Sequence, residues 1–137
     1  MFKTVKPIEE DIFILDELLT DFYNELSNYY ENLYYSYAED LINDGSTYFI
    51  LNEKEKIIGF YSFSPASNNI LRYLYIVPRE RNRKYGTETI NKLLEIQSHL
   101  KLTCHKNNKK AIKFYNKFNN SNIIEDNEIE FILRKVK

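Results

Sequence analysis

The sequence predicts an α/β (α+β) fold: one layer of mixed, mostly antiparallel sheet with helices on its faces. Three observations carry this expectation. A length of 137 residues suits a single domain, residues 1–137, and leaves little room for a second. With 43% hydrophobic and 28% charged residues, and only 3 Gly and 3 Pro, the chain has globular composition. The spacing of apolar residues also switches between a period near 3.6 and a period of two, in the order β-α-α-β-β-β-α-β-α-β-β.

Residues 2–5 alternate briefly and read as a first strand before Pro7. From residue 8 to 27, Ile8, Ile12, Leu15, Leu18, Leu19, Phe22 and Leu26 recur three and four apart, a helical stripe with acids opposite. A second helix is expected over 29–43, with Tyr30, Leu33, Tyr34, Tyr37 and Leu41 as its stripe and Asn43-Asp44-Gly45-Ser46 as its stop. Segments 47–51 and 56–63 flank the polar turn Asn52-Glu53-Lys54-Glu55 and read as a hairpin. Residues 70–77 form a third such strand, ended by Pro78. Residues 86–99 are helical, 100–104 a short strand, 108–118 helical again, and 123–125 with 129–136 a closing strand pair.

The formal net charge of −1 hides an asymmetry. Residues 1–55 hold 13 acidic and 3 basic residues, a balance of −10; residues 56–137 hold 7 acidic and 16 basic, a balance of +9. Such a split suggests two partners of opposite sign. No apolar run approaches the roughly 18–20 residues that span a bilayer, and the first residues lack the apolar core of a signal peptide. Cys104 is the only cysteine and His99 and His105 the only histidines, so neither a disulfide nor a metal centre is expected. The expectation is a soluble, cytoplasmic protein with no membrane partner.

Chemistry concentrates in Leu74-Tyr75-Ile76-Val77-Pro78-Arg79-Glu80-Arg81-Asn82-Arg83-Lys84-Tyr85-Gly86-Thr87, where a strand runs through a basic turn into a helix. The first turn of a helix leaves N–H groups unpaired along its axis, and these favour an anion. Arg79, Arg81, Arg83 and Lys84 add four cations, more than one phosphate needs and a number suited to a pyrophosphate with a further phosphate. Taken alone, the segment also fits a solvated surface turn.

Leu74-Tyr75-Ile76-x-Pro78-x-x-Arg81-x-x-Lys84-x-Gly86 resembles the acetyl-CoA-binding motif of the GNAT superfamily of N-acetyltransferases, and Asn108-x-x-Ala111-x-x-Phe114-Tyr115 resembles its second signature. One helix and one strand separate the two, as in the family. Two departures stand out. Lys84 replaces the first glycine of the turn, and Asn119-Asn120 stands where Gly-Phe commonly follows the tyrosine. The resemblance implies a GNAT-like fold in which strand 70–77 splays from strand 100–104. Pantetheine would lie in the gap, with Leu74 at its edge and the main chain of Tyr75 and Ile76 pairing with it. Arg81 and the turn and helix start, Asn82, Arg83, Lys84, Tyr85, Gly86 and Thr87, would hold pyrophosphate. Asn108 would touch pantetheine, and Tyr115 would reach the thioester sulfur.

Tyr115 has a second reading. Ala111, Phe114, Tyr115 and Phe118 share one helical face, which describes a core stripe with the hydroxyl at its edge. With Asn108 seven residues earlier, the resemblance tips the balance toward a role in the reaction. A phenol keeps its proton at neutral pH and can give it to a departing thiolate. No general base is assigned; His105 is an isolated candidate at a strand end. Cys104 reads as a small core residue. Tyr30 and Tyr34, with Tyr29, Tyr37, Glu31, Glu39 and Asp40, read either as the lining of a pocket for a cationic acceptor or as a solvated acidic helix packed through its tyrosines.

The expected activity is therefore transfer of an acetyl group from acetyl-CoA to a primary amine, on a small molecule or a peptide, without a metal. The alternative is a binding module that keeps the fold and lacks catalysis. A third reading, nucleic-acid binding through segment 101–117, is opposed by the acidic first half, and no such partner is expected. The tyrosine-rich second helix is the surface on which a homodimer would form.

Overall fold

A computed structural model describes residues 3–33 and 35–136. The strands are β1 (Lys3–Val5), β2 (Thr47–Leu51), β3 (Ile57–Ser64), β4 (Ser67–Ile76), β5 (His99–His105), β6 (Asn119–Glu125) and β7 (Glu128–Arg134). The helices are α1 (Ile12–Leu26), α2 (Ala38–Asp44), α3 (Tyr85–Ile96) and α4 (Lys109–Tyr115), with short 3-10 turns at Glu9–Asp11 and Pro78–Glu80. The element order is the one expected from the periodicity.

The strands form one sheet in the order β1-β2-β3-β4-β5-β7-β6. Every neighbouring pair is antiparallel except β4 and β5, which run parallel. Strand alternation puts a different side chain set on each face. Phe60 and Tyr75 pair across β3 and β4 and meet Phe22 of α1 edge-on, at 5.8 Å each. Tyr61, one residue on, turns to the other face and lines a cavity of about 240 Å³ with Thr89 and Leu93 of α3. Helices thus cover both faces, and the core between them includes Phe49, Phe60, Phe131, Ile90 and Leu100, all almost fully buried. Gly59 lets β3 and β4 approach closely: a Cβ there would collide with the carbonyl oxygen of Tyr75. Among the described residues no helix is long and apolar enough to cross a membrane.

The second helix differs most from expectation. It spans only Ala38–Asp44, not residues 29–43. The tyrosine stripe has helical spacing, but its backbone and rings find tertiary partners instead. The Ser36 N–H donates to the Tyr23 hydroxyl (2.9 Å), the Ser36 and Tyr73 hydroxyls lie 2.8 Å apart, and Tyr35 packs edge-on against Tyr23 at 4.7 Å. Side-chain-to-backbone bonds of this kind compete with weak helix formers such as Tyr, Asn and Ser. Tyr34 and Phe2 lie outside the described residues.

Smaller differences follow similar logic. The first helix starts at Ile12, because Asp11 accepts from the Ile8 N–H (2.8 Å) and holds a separate turn; Ile8 stays exposed. β6 extends back through Asn119, Asn120, Ser121 and Asn122, residues of low strand propensity. They suit an edge strand, which is polar where it meets water, and all pair in register with β7.

Candidate active site

β4 and β5 pair at a single position, Ile70 with Lys101, and then diverge. Beyond it, the adjoining edges of β4 up to Ile76 and of β5 up to His105 are unpaired with each other. The Val77 N–H bonds to the Ile58 carbonyl (2.8 Å), and the Tyr75 carbonyl lies over Gly59, so alternate residues 75 and 77 turn their main chain toward β3. Leu74 and Ile76, out of step by one, turn theirs into the gap. Tyr75, assigned main-chain pairing by the sequence resemblance, instead contributes a buried ring to the core. The Ile76 carbonyl is already engaged by Arg81 Nε at 2.8 Å.

Arg81 is half-buried and has several partners. Its guanidinium donates to both carboxylate oxygens of Glu25 on α1 (2.9 and 2.8 Å) and lies 5.3 Å from the centre of the Tyr75 ring. Its charge is therefore committed within the protein, and its part is to tie the end of β4 to α1. Arg83 is exposed beyond a 3.5 Å contact with Glu80, and Lys84 is exposed. These two and the exposed Arg79 remain to face an anion.

The first main-chain bond of α3 runs from the Glu88 N–H to Lys84 O (2.9 Å), so Tyr85, Gly86 and Thr87 direct N–H groups out of the helix end with no intrahelical partner. Lys84 itself takes φ 70°, ψ 9°, the left-handed conformation that a glycine would adopt without penalty. The substitution thus preserves the backbone path and stores strain. Lys84→Gly is expected to raise the unfolding free energy by up to about 1 kcal/mol in a urea titration. A loss of stability would instead mean that the lysine side chain holds the turn.

Asn108 caps α4, its Oδ1 accepting from the Ala111 N–H at 3.2 Å. Gly86 is pressed against Phe114, where a Cβ would lie 3.2 Å from the ring. This close approach brings the two sequence motifs into one site. Tyr115 ends α4 with its ring 5.6 Å from Phe131. Its hydroxyl has no protein hydrogen bond among the described residues. Burial, and then the nearby Cys104, push its pKa well above the ordinary phenol value. Burial likewise raises the Cys104 thiol to about 11, which leaves it protonated and a poor nucleophile at neutral pH.

A second group of side chains occupies the other face. Cys104 pairs with Ile129 and Leu102 with Phe131 on the α4 side, so His105 and Glu128, one residue on, point the opposite way. There the Tyr30 hydroxyl donates to Glu128 Oε2 (2.9 Å), closing segment 29–32 over the end of the sheet. His105 meets the Tyr30 ring edge-on at 5.0 Å and stacks with Tyr29 at 6.0 Å. Its Nδ1 accepts from the Asn107 N–H at 3.0 Å. The neutral ring therefore carries its proton on Nε2 and offers a donor, not a base. These residues border a cleft of about 520 Å³ that also takes in Glu31 and Asp126. Tyr37 is exposed, and Glu39 and Asp40 begin α2; none of them lines the cleft.

The Acetyltransferase (GNAT) family matches residues 12–119, most of the chain. The chain belongs to this family.

No curated protein matches the sequence. Solved structures share its fold at low identity. PaiA N-acetyltransferase from Thermoplasma acidophilum in complex with coenzyme A aligns with TM-score 0.77 and 17% identity, covering 98% of this chain and 99% of that one. Arabidopsis thaliana Naa50, in complex with the bisubstrate analogue CoA-Ac-MVNAL, aligns with TM-score 0.69 and 18% identity over 98% and 99% of the two chains. An acetyltransferase from Thermus thermophilus gives TM-score 0.70 at 12% identity, over 97% and 96%.

As a GNAT protein the chain is an acetyl-CoA-dependent acyltransferase. The Gly86–Phe114 contact sets the start of α3, with the turn of Asn82, Arg83 and Lys84 before it, against α4, which carries Asn108 and Tyr115, while Leu74 and Ile76 lie on the β4 edge that parts from β5. Tyr30 stands across the sheet from them, at the cleft. Glu128 is not legible in the sequence as a site residue. It lies 98 positions from the tyrosine it pairs with, and an acid after an Asp-Asn turn carries no signal of its own.

Proposed function

We propose that this acetyltransferase moves the acetyl group of acetyl-CoA to a primary amine by direct attack, with Tyr115 as general acid. The observation that carries the reading is the Tyr115 hydroxyl, on a half-buried ring near Cys104 of β5, which lacks a protein partner among the described residues and retains its proton. The residues present suit the co-substrate. Main-chain groups of Leu74 and the Ile76 N–H offer partners to an extended amide chain. The free N–H groups of Tyr85, Gly86 and Thr87, with Arg83 and Lys84, suit a pyrophosphate. Asn108 Nδ2 has no partner among the described residues and is left for the pantetheine end.

The acceptor arrives as an ammonium of pKa about 10.4 and must lose a proton before it attacks, at a cost of roughly 4–5 kcal/mol at pH 7. The neutral nitrogen then bonds to the thioester carbonyl carbon and the carbon–sulfur bond breaks. Tyr115 gives its proton to the departing thiolate and recovers one from the nitrogen that has become an amide. Tyr30 borders the acceptor's approach, which comes from the face opposite the α3 and α4 side.

Calorimetry with acetyl-CoA and a thiol-release assay against polyamines, amino acids, aminoglycosides and peptide amines test the proposal together. Saturable binding with thiol release from at least one amine is expected. No binding at millimolar ligand would overturn the co-substrate assignment; binding without release from any amine would leave a module that keeps the fold without catalysis.

A further inference from the structure

The two edges of the sheet differ. β1 is three residues long, carries Lys3 in an ion pair with Glu55 (2.8 Å), and is soon followed by Pro7. Short length, charge and proline all discourage a further strand from adding there. β6, at the opposite edge, has seven residues, and the first six, Asn119-Asn120-Ser121-Asn122-Ile123-Ile124, include no charge, proline or glycine. Ile123 and Ile124 point to opposite faces and are 64% and 68% exposed, so neither face is covered at that end. An uncharged edge of this length with bare isoleucines is a template for strand pairing.

Register and charge say what pairs with it. Glu125 and Glu128, joined by the two-residue turn Asp126-Asn127, form a hydrogen-bonded pair. Counting back by twos, Ile123, Ser121 and Asn119 also bond to β7, so Ile124, Asn122 and Asn120 turn their N–H and C=O groups away from the sheet. The ends of the strand carry opposite charge. Glu125 and Asp126 stand exposed at the turn, and Lys117 and Arg134 stand exposed at the open end, Arg134 across from Asn119. A parallel copy of this edge would set acid on acid. An antiparallel copy sets each acidic end against the other's basic end.

We infer that β6 is the contact between two copies of this chain, paired antiparallel about a two-fold axis at Asn122. In that register Asn122 meets its own counterpart and Asn120 meets Ile124 of the second copy, so every outward main-chain group of these three residues is satisfied. Glu125 comes beside Asn119 of the second copy, near its Lys117 and Arg134, and Ile123 lies diagonal to its own counterpart. The contact consumes both β6 edges and leaves only the blunted β1 edges, so assembly stops at a dimer. One strand brings little apolar area, which makes the dimer weak, with a Kd of roughly micromolar or above. The inference does not depend on the acetyl-transfer reading.

Sedimentation velocity on the full chain from about 1 to 300 µM tests it. A reversible monomer–dimer equilibrium is expected. Asn122→Lys sets like charges across the two-fold and should raise the dimer Kd by about fivefold or more. Asn122→Pro removes an N–H that faces away from β7, so it should abolish the dimer and spare the fold, which circular dichroism checks. Because position 122 meets itself, Asn122→Lys and Asn122→Asp proteins, each weakened alone, should recover the dimer when mixed. A chain that stays monomeric at every concentration, a dimer unmoved by Asn122→Lys, growth beyond a dimer, or a mixture that does not recombine overturns the inference.

Discussion

Tyr115→Phe is expected to lower kcat by about a hundredfold or more, the scale on which a positioned general acid acts, with acetyl-CoA affinity nearly unchanged. The substitution keeps the ring, and with it the packing on Phe131 and Phe114. It removes a hydroxyl that has no partner among the described residues, so no buried group is orphaned and stability should hold. The wild-type pH profile offers an independent check. Burial raises the Tyr115 pKa above the ordinary phenol value near 10, so the acid form persists across the working range and should not set an alkaline limb below about pH 10. The same shift has a stability consequence. A proton bound more tightly in the folded state stabilises the fold fully below the unfolded value near 10 and is lost as pH rises above it. Turnover of Tyr115→Phe equal to wild type would remove the tyrosine from the mechanism.

Phe131→Ala should be the most damaging substitution near the site. Phe131 is 1% exposed, pairs with Leu102 across β5 and with Asn122 across β6, and supports the Tyr115 ring. Truncating a buried phenylalanine costs about 3–5 kcal/mol, transfer and cavity together, and a urea titration would read it directly. A loss under about 1 kcal/mol would mean that the sheet closes over the gap without strain. Phe131→Leu separates packing from chemistry. It should cost less, about 1–2 kcal/mol, yet still lower kcat by about tenfold, because Tyr115 loses the surface that aims it. Unchanged kcat in a folded Phe131→Leu protein would show that α4 alone positions the hydroxyl.

The residues of the two motifs are legible because their work is local. The strand, Pro78, the basic turn and the N-terminus of α3 follow one another in the chain, so residue order alone points to an anion at the helix end. Lys84 reads as a departure, but its backbone keeps the left-handed turn that the position requires. Arg81 reads as a free cation and is not one, since Glu25, its partner, lies 56 residues away on α1. The helix expected over 29–43 fails for the same reason. Its periodicity is present, but Tyr23 and Tyr73 offer Ser36 better partners than a helix would.

The charge split behaves likewise. The acidic first half suggests a cationic acceptor, yet only Glu31 of the cleft's acids comes from that half; Asp126 and Glu128 lie in the basic one. Charge summed along the chain says which signs are present, and only folding says which of them face one another. By itself the sequence determined the order of strands and helices along the chain, the family and a basic helix start that favours an anion, because periodicity and helix-end chemistry depend on near neighbours. The tertiary structure alone decided that β4 and β5 part after a single pair, that Arg81 is committed to Glu25, and that Tyr30, His105 and Glu128 form one cleft. Each of those depends on groups far apart in the chain, joined by packing that no local pattern encodes.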